Sequence, residues 1–195
     1  FWRNISLSKK AVSSPSYDWC FIGTVHSDRH RVIHRLRDRY KNIYRSFVFC
    51  YFQSPLMLLL RKLSDRTLRS APSDSLSTKP MSAANVAALV ADSKSVLDVE
   101  HPKQRGFTMR TIETLLSGKK LLTTNRAILN SDLFHSSRVC VIDRNDPEIQ
   151  SGFLDEPFVE VDEKLKNYYS CSGWVSELLN FQEIAWREHQ KNEVQ

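Results

Sequence analysis

The sequence predicts an α/β fold of Rossmann-like type: a doubly wound parallel sheet with helices on both faces and a closing C-terminal helix. Three observations carry that reading. Short apolar runs dense in aromatic and β-branched residues alternate with segments whose apolar residues recur at helical spacing. Strands alternating with helices need a parallel sheet covered on both faces. Helix start and stop residues, among them Ser82 and Gly118, punctuate the alternation where it changes.

Taken in order, residues 1–16 carry two aromatics and then the polar run "KKAVSSPS", which reads as a linker or interdomain segment ahead of a domain at 17–195. "YDWCFIGT" is a short apolar strand ending near Gly23. From residue 28 to about 41, Val32, Ile33, Leu36 and Tyr40 mark one face of a helix. "SFVFCYF" at 46–52 is a second strand, and Pro55 opens a helix to about Leu63. Residues 64–80 are polar and rich in Pro and Ser, and read as a mobile excursion ending in an extended piece, "STKPM". The alanine-rich "SAANVAALVADS" is a helix capped by Ser82, and "SVLDV" a buried strand. A polar loop then leads to a helix at about 108–117, with Met109, Ile112, Leu115 and Leu116 as its expected buried face. Gly118 stops it before the strand "KLLTT". "RVCVID" is another strand. The closing helix, "SGWVSELLNFQEIAWREHQK", sets Trp174, Leu178, Leu179 and Ala185 on one side.

At 195 residues and 22.6 kDa, the chain is long enough for one well-packed domain. The chain begins at Phe1, which fits a piece of something longer. A net charge of +6 and a pI near 9.2 favour anionic partners without choosing among phosphates, nucleic acid and acidic membranes. Cys20, Cys50, Cys140 and Cys171 form no CxxC or Cys/His pattern, so a reducing compartment fits better than a disulfide framework. No signal peptide is visible, and the apolar run at 56–60 is far too short to span a bilayer. The expected location is the cytoplasm, with attachment to the inner face of the membrane as an option.

In open α/β sheets, ligands sit beyond the carboxyl ends of the strands. Two loops fit. "GTVHSDRH" follows the first strand and offers Gly23, Thr24, His26 and Arg29. His26 reads either as an acid/base group or as an exposed loop histidine. The second loop, "HPKQRGFTMR", follows "SVLDV". There Gly106 permits tight curvature, and the amides of Phe107, Thr108 and Met109 are donors at a helix start, where an anion gains roughly 0.3–1 kcal/mol when exposed. Diphosphates commonly bind such ends. Glu113 lies one turn on, its side chain directed back toward the helix start. A carboxylate there suits both hydroxyls of a ribose; the plain alternative is a surface ion pair with Arg110 at i, i+3. Arg110 itself suits either Glu113 or a phosphate, and Lys103 and Arg105 are loop charges near the same place.

"RGFTMRTIETLLSGKKLLTTN" resembles the nucleotide-sugar motif in the C-terminal half of GT-B fold glycosyltransferases. In that family a Gly-Phe loop leads into a helix with a ribose-binding glutamate, and an "SG" turn feeds the next strand. "DWCFIGTVHSDR" and "HPKQRGFTMRTIE" look like sugar transferases of bacterial lipopolysaccharide and capsule synthesis. The layout from Tyr17 to the final helix is similar to that whole donor-binding half. The resemblance implies a glycosyltransferase that moves a sugar from a nucleoside-diphosphate sugar to a glycan or lipid-linked acceptor. Glu113 would hold the ribose and the backbone from Gly106 to Met109 the diphosphate. "STKPM", with Lys79 and Met81, stands where related folds read the base. It also implies an N-terminal acceptor domain and no cofactor; the chain holds no DxD metal motif. One departure is Arg105, which stands where many retaining members carry a second glutamate, eight positions before the ribose glutamate.

Two other readings compete. One is a non-catalytic nucleotide-binding domain of similar fold. The other concerns the basic run "RHRVIHRLRDRYKNIYR", with Arg29, Arg31, Arg35 and Arg39 turned outward, which reads as a nucleic-acid patch, a contact with an anionic membrane, or a plain solvated helix face. No RNA-binding aromatic signature or zinc pattern supports nucleic acid.

Overall fold

A computed structural model of the chain describes residues 14–104 and 106–180. Six parallel strands form one sheet in the order β3-β2-β1-β4-β5-β6. They are β1 (Tyr17–Thr24), β2 (Ser46–Tyr51), β3 (Leu76–Ser77), β4 (Ser93–Asp98), β5 (Lys120–Thr123) and β6 (Val139–Val141). The fold class is therefore the expected one, an α/β Rossmann-like sheet. Strand order reverses between β1 and β4, so the loops after these two strands flank a switch point.

The helices are α1 (Arg29–Tyr40), α2 (Pro55–Ser64), α3 (Arg66–Arg69), α4 (Ala83–Ala91), α5 (Met109–Leu116), α6 (Glu163–Tyr168) and α7, at 171–180. Two apolar clusters lie on opposite faces of the sheet, as period-two alternation along the strands requires. On one face Val32, Ile33 and Leu36 of α1 pack with Trp19, Phe21, Leu97 and Leu122. On the other, Leu115 of α5 packs with Leu121, Ile128 and Val139. β4 and β5 are buried almost throughout, whereas β2, closer to the edge, alternates. Cys20, Cys50 and Cys140 are free and sit inside these layers, while Cys171 is free and exposed.

Local chemistry explains most boundaries. The Ser54 hydroxyl accepts from the Met57 amide at 3.1 Å with Pro55 at the first helical position, and Ser82 caps α4 through Asn85 at 3.2 Å. Gly118, at φ +73°, takes the left-handed conformation that ends α5.

Three expectations need correction. Residues 64–80 are not an excursion. The Asp65 carboxylate caps α3 through the Thr67 amide and hydroxyl, at 3.0 and 2.7 Å, and receives Arg31 at 3.0 Å. Leu68 is buried, and β3 extends the sheet. Burial pushes the Asp65 carboxyl up, but the donors from Thr67 and Arg31 outweigh it and hold it well below the usual carboxylate range. The buried face of α5 is Thr111, Thr114 and Leu115, whereas Met109 is exposed. α7 leaves Trp174, Leu178 and Leu179 exposed instead of closing over the core. Ala185, Arg105 and most of the segment at 1–16 lie outside the described residues. Among the described residues, no helix is long and apolar enough to cross a membrane.

Leu97 sits at the centre of this arrangement, and Leu59 on the outer side of α2. Leu97→Ala should lower unfolding free energy by about 2–5 kcal/mol, and Leu59→Ala should leave it within about 0.5 kcal/mol. Urea denaturation of the two variants checks both.

Candidate functional site

The site is built where β1 and β4 end. Asp98, the last residue of β4, is buried at 3% exposure. Its Oδ2 accepts from the Thr108 hydroxyl and, at 2.8 Å, from the Thr111 hydroxyl. Thr108 is also the N-cap of α5, accepting from the Thr111 amide at 3.1 Å. One carboxylate thus ties the first turn of α5 to the end of the strand before it. This is why threonines form the inner face of the helix: their hydroxyls answer a buried charge that leucines would leave unpaired.

The loop ahead of α5 is held from a third strand. Asn125, after β5, donates its side-chain amide to the Gly106 carbonyl at 2.9 Å. Gly106 has φ +83°, a conformation that a side chain would strain. The loop leaves the amides of Phe107, Thr108 and Met109 without an acceptor among the described residues. Orphan amides of this kind carry the positive end of the helix dipole.

Arginines surround the same point. Arg110 reaches over Gly23: a Cβ placed on that glycine would lie 3.9 Å from the Arg110 Nη2 and 3.2 Å from the Phe21 ring. Arg110 makes no salt bridge among the described residues. Arg29 turns inward, its Nε donating to the Val99 carbonyl at 2.6 Å and its Nη1 to the Thr24 carbonyl at 2.9 Å. It therefore clamps the β1 and β4 loops together, with its guanidinium 6.0 Å from the Phe21 ring centre.

His26 lies partly buried with its ring 5.2 Å from that of His101. Burial first, and then the nearby Arg29 charge and His101, hold its pKa below the ordinary histidine value. A neutral imidazole can accept a proton. Glu113 is half-buried. Its Oε1 is buried with no hydrogen-bond partner among the described residues, and desolvation raises its carboxyl pKa against the opposing charge of Arg110. The simple surface ion pair with Arg110, expected as the alternative, is not among the salt bridges of the described residues.

Other expected residues fall elsewhere. Lys79 and Met81 follow β3, two strand spacings from β1, or about 10 Å across the sheet. The Lys79 backbone folds onto the Ser77 hydroxyl, to which its amide donates at 3.0 Å, and its side chain is exposed. On α1 the expected outward basic face is met in part: Arg29 turns inward, whereas Arg31, Arg35 and Arg39 are exposed. Besides Arg29, Arg31 pairs with Asp65, Arg35 donates to the Asn145 carbonyl at 2.7 Å, and Arg39 pairs with Asp146 at 2.5 Å. These three hold neighbouring segments while their side chains stay at the surface.

A second network was not foreseen. Arg144, after β6, pairs with Asp28 at 2.8 Å and with Glu100 at 2.9 Å, and Glu100 also accepts from the Thr124 hydroxyl. It joins the loops that follow β1, β4, β5 and β6. Only its place just after the strand "RVCVID" hinted at it. On the outer side of α5, a cleft of about 600 Å³ is lined by Met109, Ile112, Tyr168, Tyr169, Trp174 and Glu177. No group of His, Cys, Asp and Glu able to hold a metal occurs among the described residues.

Compared with models of known protein families and with curated proteins, the chain matches none.

The raised pKa of Glu113 has a definite sign. Protonated Glu113 is tolerated by the fold, so its stabilising contribution is present below the ordinary carboxylate range and is lost as pH rises through the folded value. Glu113→Gln should therefore melt at a higher temperature than wild type at pH 7, with the gain vanishing on acidification. Thermal melts across pH check it.

Proposed function

We propose that the chain is the donor-binding half of a GT-B type glycosyltransferase, accepting a nucleoside-diphosphate sugar where β1 and β4 end. The observation that carries this reading is Glu113: a half-buried carboxylate with one oxygen unpartnered, one turn from free helix-terminal amides and an uncommitted arginine. An unsatisfied buried oxygen costs about 1–3 kcal/mol. A fold tolerates that where a ligand supplies the missing donors, and ribose hydroxyls are such donors.

In this reading the diphosphate lies on the amides of residues 107–109, with Arg110 beside it and the side chain of Gly23 absent to make room. Glu113 takes the ribose hydroxyls. His26, kept neutral, faces the transferred sugar. Transfer breaks the bond between the anomeric carbon and the diphosphate oxygen, and the diphosphate leaves with the electron pair. The acceptor hydroxyl forms the new bond and gives up its proton to a base. Helix-terminal amides and Arg110 stabilise charge on the leaving diphosphate. The acceptor, a glycan or lipid-linked sugar of surface polysaccharide synthesis, is supplied against a further domain. The inward turn of Arg29 and the acids that face Arg31 and Arg39 weigh against a nucleic-acid partner.

Thermal stabilisation by UDP, GDP, ADP and CMP tests the reading. At a hundredfold excess over its dissociation constant, the right nucleotide adds about 2.7 kcal/mol to apparent stability. We expect one diphosphate to give that shift, Glu113→Ala to lose it, and Arg110→Met to weaken it. No shift with any nucleotide, or the same shift in Glu113→Ala, would contradict it.

A further inference from the structure

α2 turns its apolar side to solvent. Leu56, Leu59, Leu60 and Leu63 stand at i, i+3, i+4 and i+7, which is one face of a helix, and each is more than half exposed. Met57 widens the patch, while Leu58, on the other side, packs against the core. The helix is firmly started by its Ser54 cap and Pro55, so the outward leucines belong to a formed element. Its main packing partner among the described elements is α3 rather than the sheet.

Cations accompany the patch. Arg61 and Lys62 lie on α2, and Arg66 and Arg69 on α3. The acid among them, Asp65, is buried against Arg31 and Thr67, so it offers no negative charge to the outside. The surface therefore combines aliphatic side chains with positive charge. A leucine stripe at this spacing can also fill a groove on a partner protein, but four cations around it, with no aromatic residue and no exposed acid between Ser54 and Arg69, suit an anionic and aliphatic partner better. Leucines flanked by Lys and Arg are what a short helix needs to lie in the headgroup region of an anionic bilayer. At ten residues, or about 15 Å, α2 is long enough to lie there and too short to cross.

We propose that α2 and α3 form a docking surface for an anionic lipid bilayer. The four leucines enter the boundary between headgroups and acyl chains, and Arg61, Lys62, Arg66 and Arg69 meet lipid phosphates. This places the membrane contact on α2, where exposed leucines accompany the cations, and not on the basic face of α1, whose apolar residues Val32, Ile33 and Leu36 are buried. α2 begins after β2 leaves the sheet at its carboxyl end, so docking brings the rim of the donor site toward the bilayer. The inference does not rest on the glycosyltransferase reading, because lipid binding is read without nucleotide.

Co-sedimentation of the full chain with vesicles tests it, using phosphatidylcholine alone and phosphatidylcholine with one third phosphatidylglycerol. Binding to the anionic vesicles, weakening as salt rises, is expected. Leu59→Glu/Leu63→Glu should reduce it at least about tenfold, and Arg61→Glu/Lys62→Glu by about fivefold per charge. All four positions lie outside the buried core, and far-ultraviolet circular dichroism confirms that each variant folds. No binding to anionic vesicles would overturn the proposal, as would equal binding by wild type and the leucine variant. A dimer dispersed by the leucine variant, with no vesicle binding, would overturn it in favour of a second copy of the chain.

Discussion

The Asp98 carboxylate, buried at the end of β4 and accepting from the hydroxyls of Thr108 and Thr111, fixes the relation between the sheet and α5. A buried charge without donors is costly, so the two threonines must face inward. That sets the rotation of α5 about its axis. With Thr111 inward, Arg110 comes over Gly23, Met109 turns to the outer cleft, and Glu113 lies half-buried with an oxygen to spare. The position of every group in the proposed donor site on α5 follows from one short strand-to-helix connection.

Around that connection the fold spends charge to hold loops. Arg29 joins the β1 and β4 ends through two carbonyls, and Arg144 joins four loops through Asp28, Glu100 and the Thr124 region. Buried or half-buried pairs of this kind add modestly to stability but specify geometry. Arg110 is different, since it is near the same point and its guanidinium has neither a salt bridge nor a hydrogen-bond partner among the described residues. The arginine of the proposed donor site is thus set apart from those that hold loops, although the sequence presents them all as one basic surplus.

The parallel sheet and most of its helices were legible because their signals are local. Apolar runs gave β1, β2, β4 and β5, and the caps Ser82 and Gly118 act within one turn of their own positions. α3 and β3 escaped notice because four residues and two residues are too short to show a period. The inward face of α5 was misjudged because a helical pattern counts leucine and methionine, whereas Asp98, hidden in the apolar run "SVLDV", recruits threonine. The destinations of Arg29, Arg35 and Arg144 were not legible at all, since their acceptors lie 70, 110 and 44 residues away along the chain. Glu113 could be chosen from its place in the helix, but its missing partner is a fact of three-dimensional packing.

The central claim is that the start of α5, at the switch point, receives a nucleoside diphosphate. Backbone-amide NMR during titration with the four nucleotides maps the contact directly. The account predicts that the largest shifts fall on Phe107, Thr108, Met109 and Gly23, with little change along the outer turns of α1. Shifts centred on α1 or on α4, or none anywhere at saturating nucleotide, would contradict it.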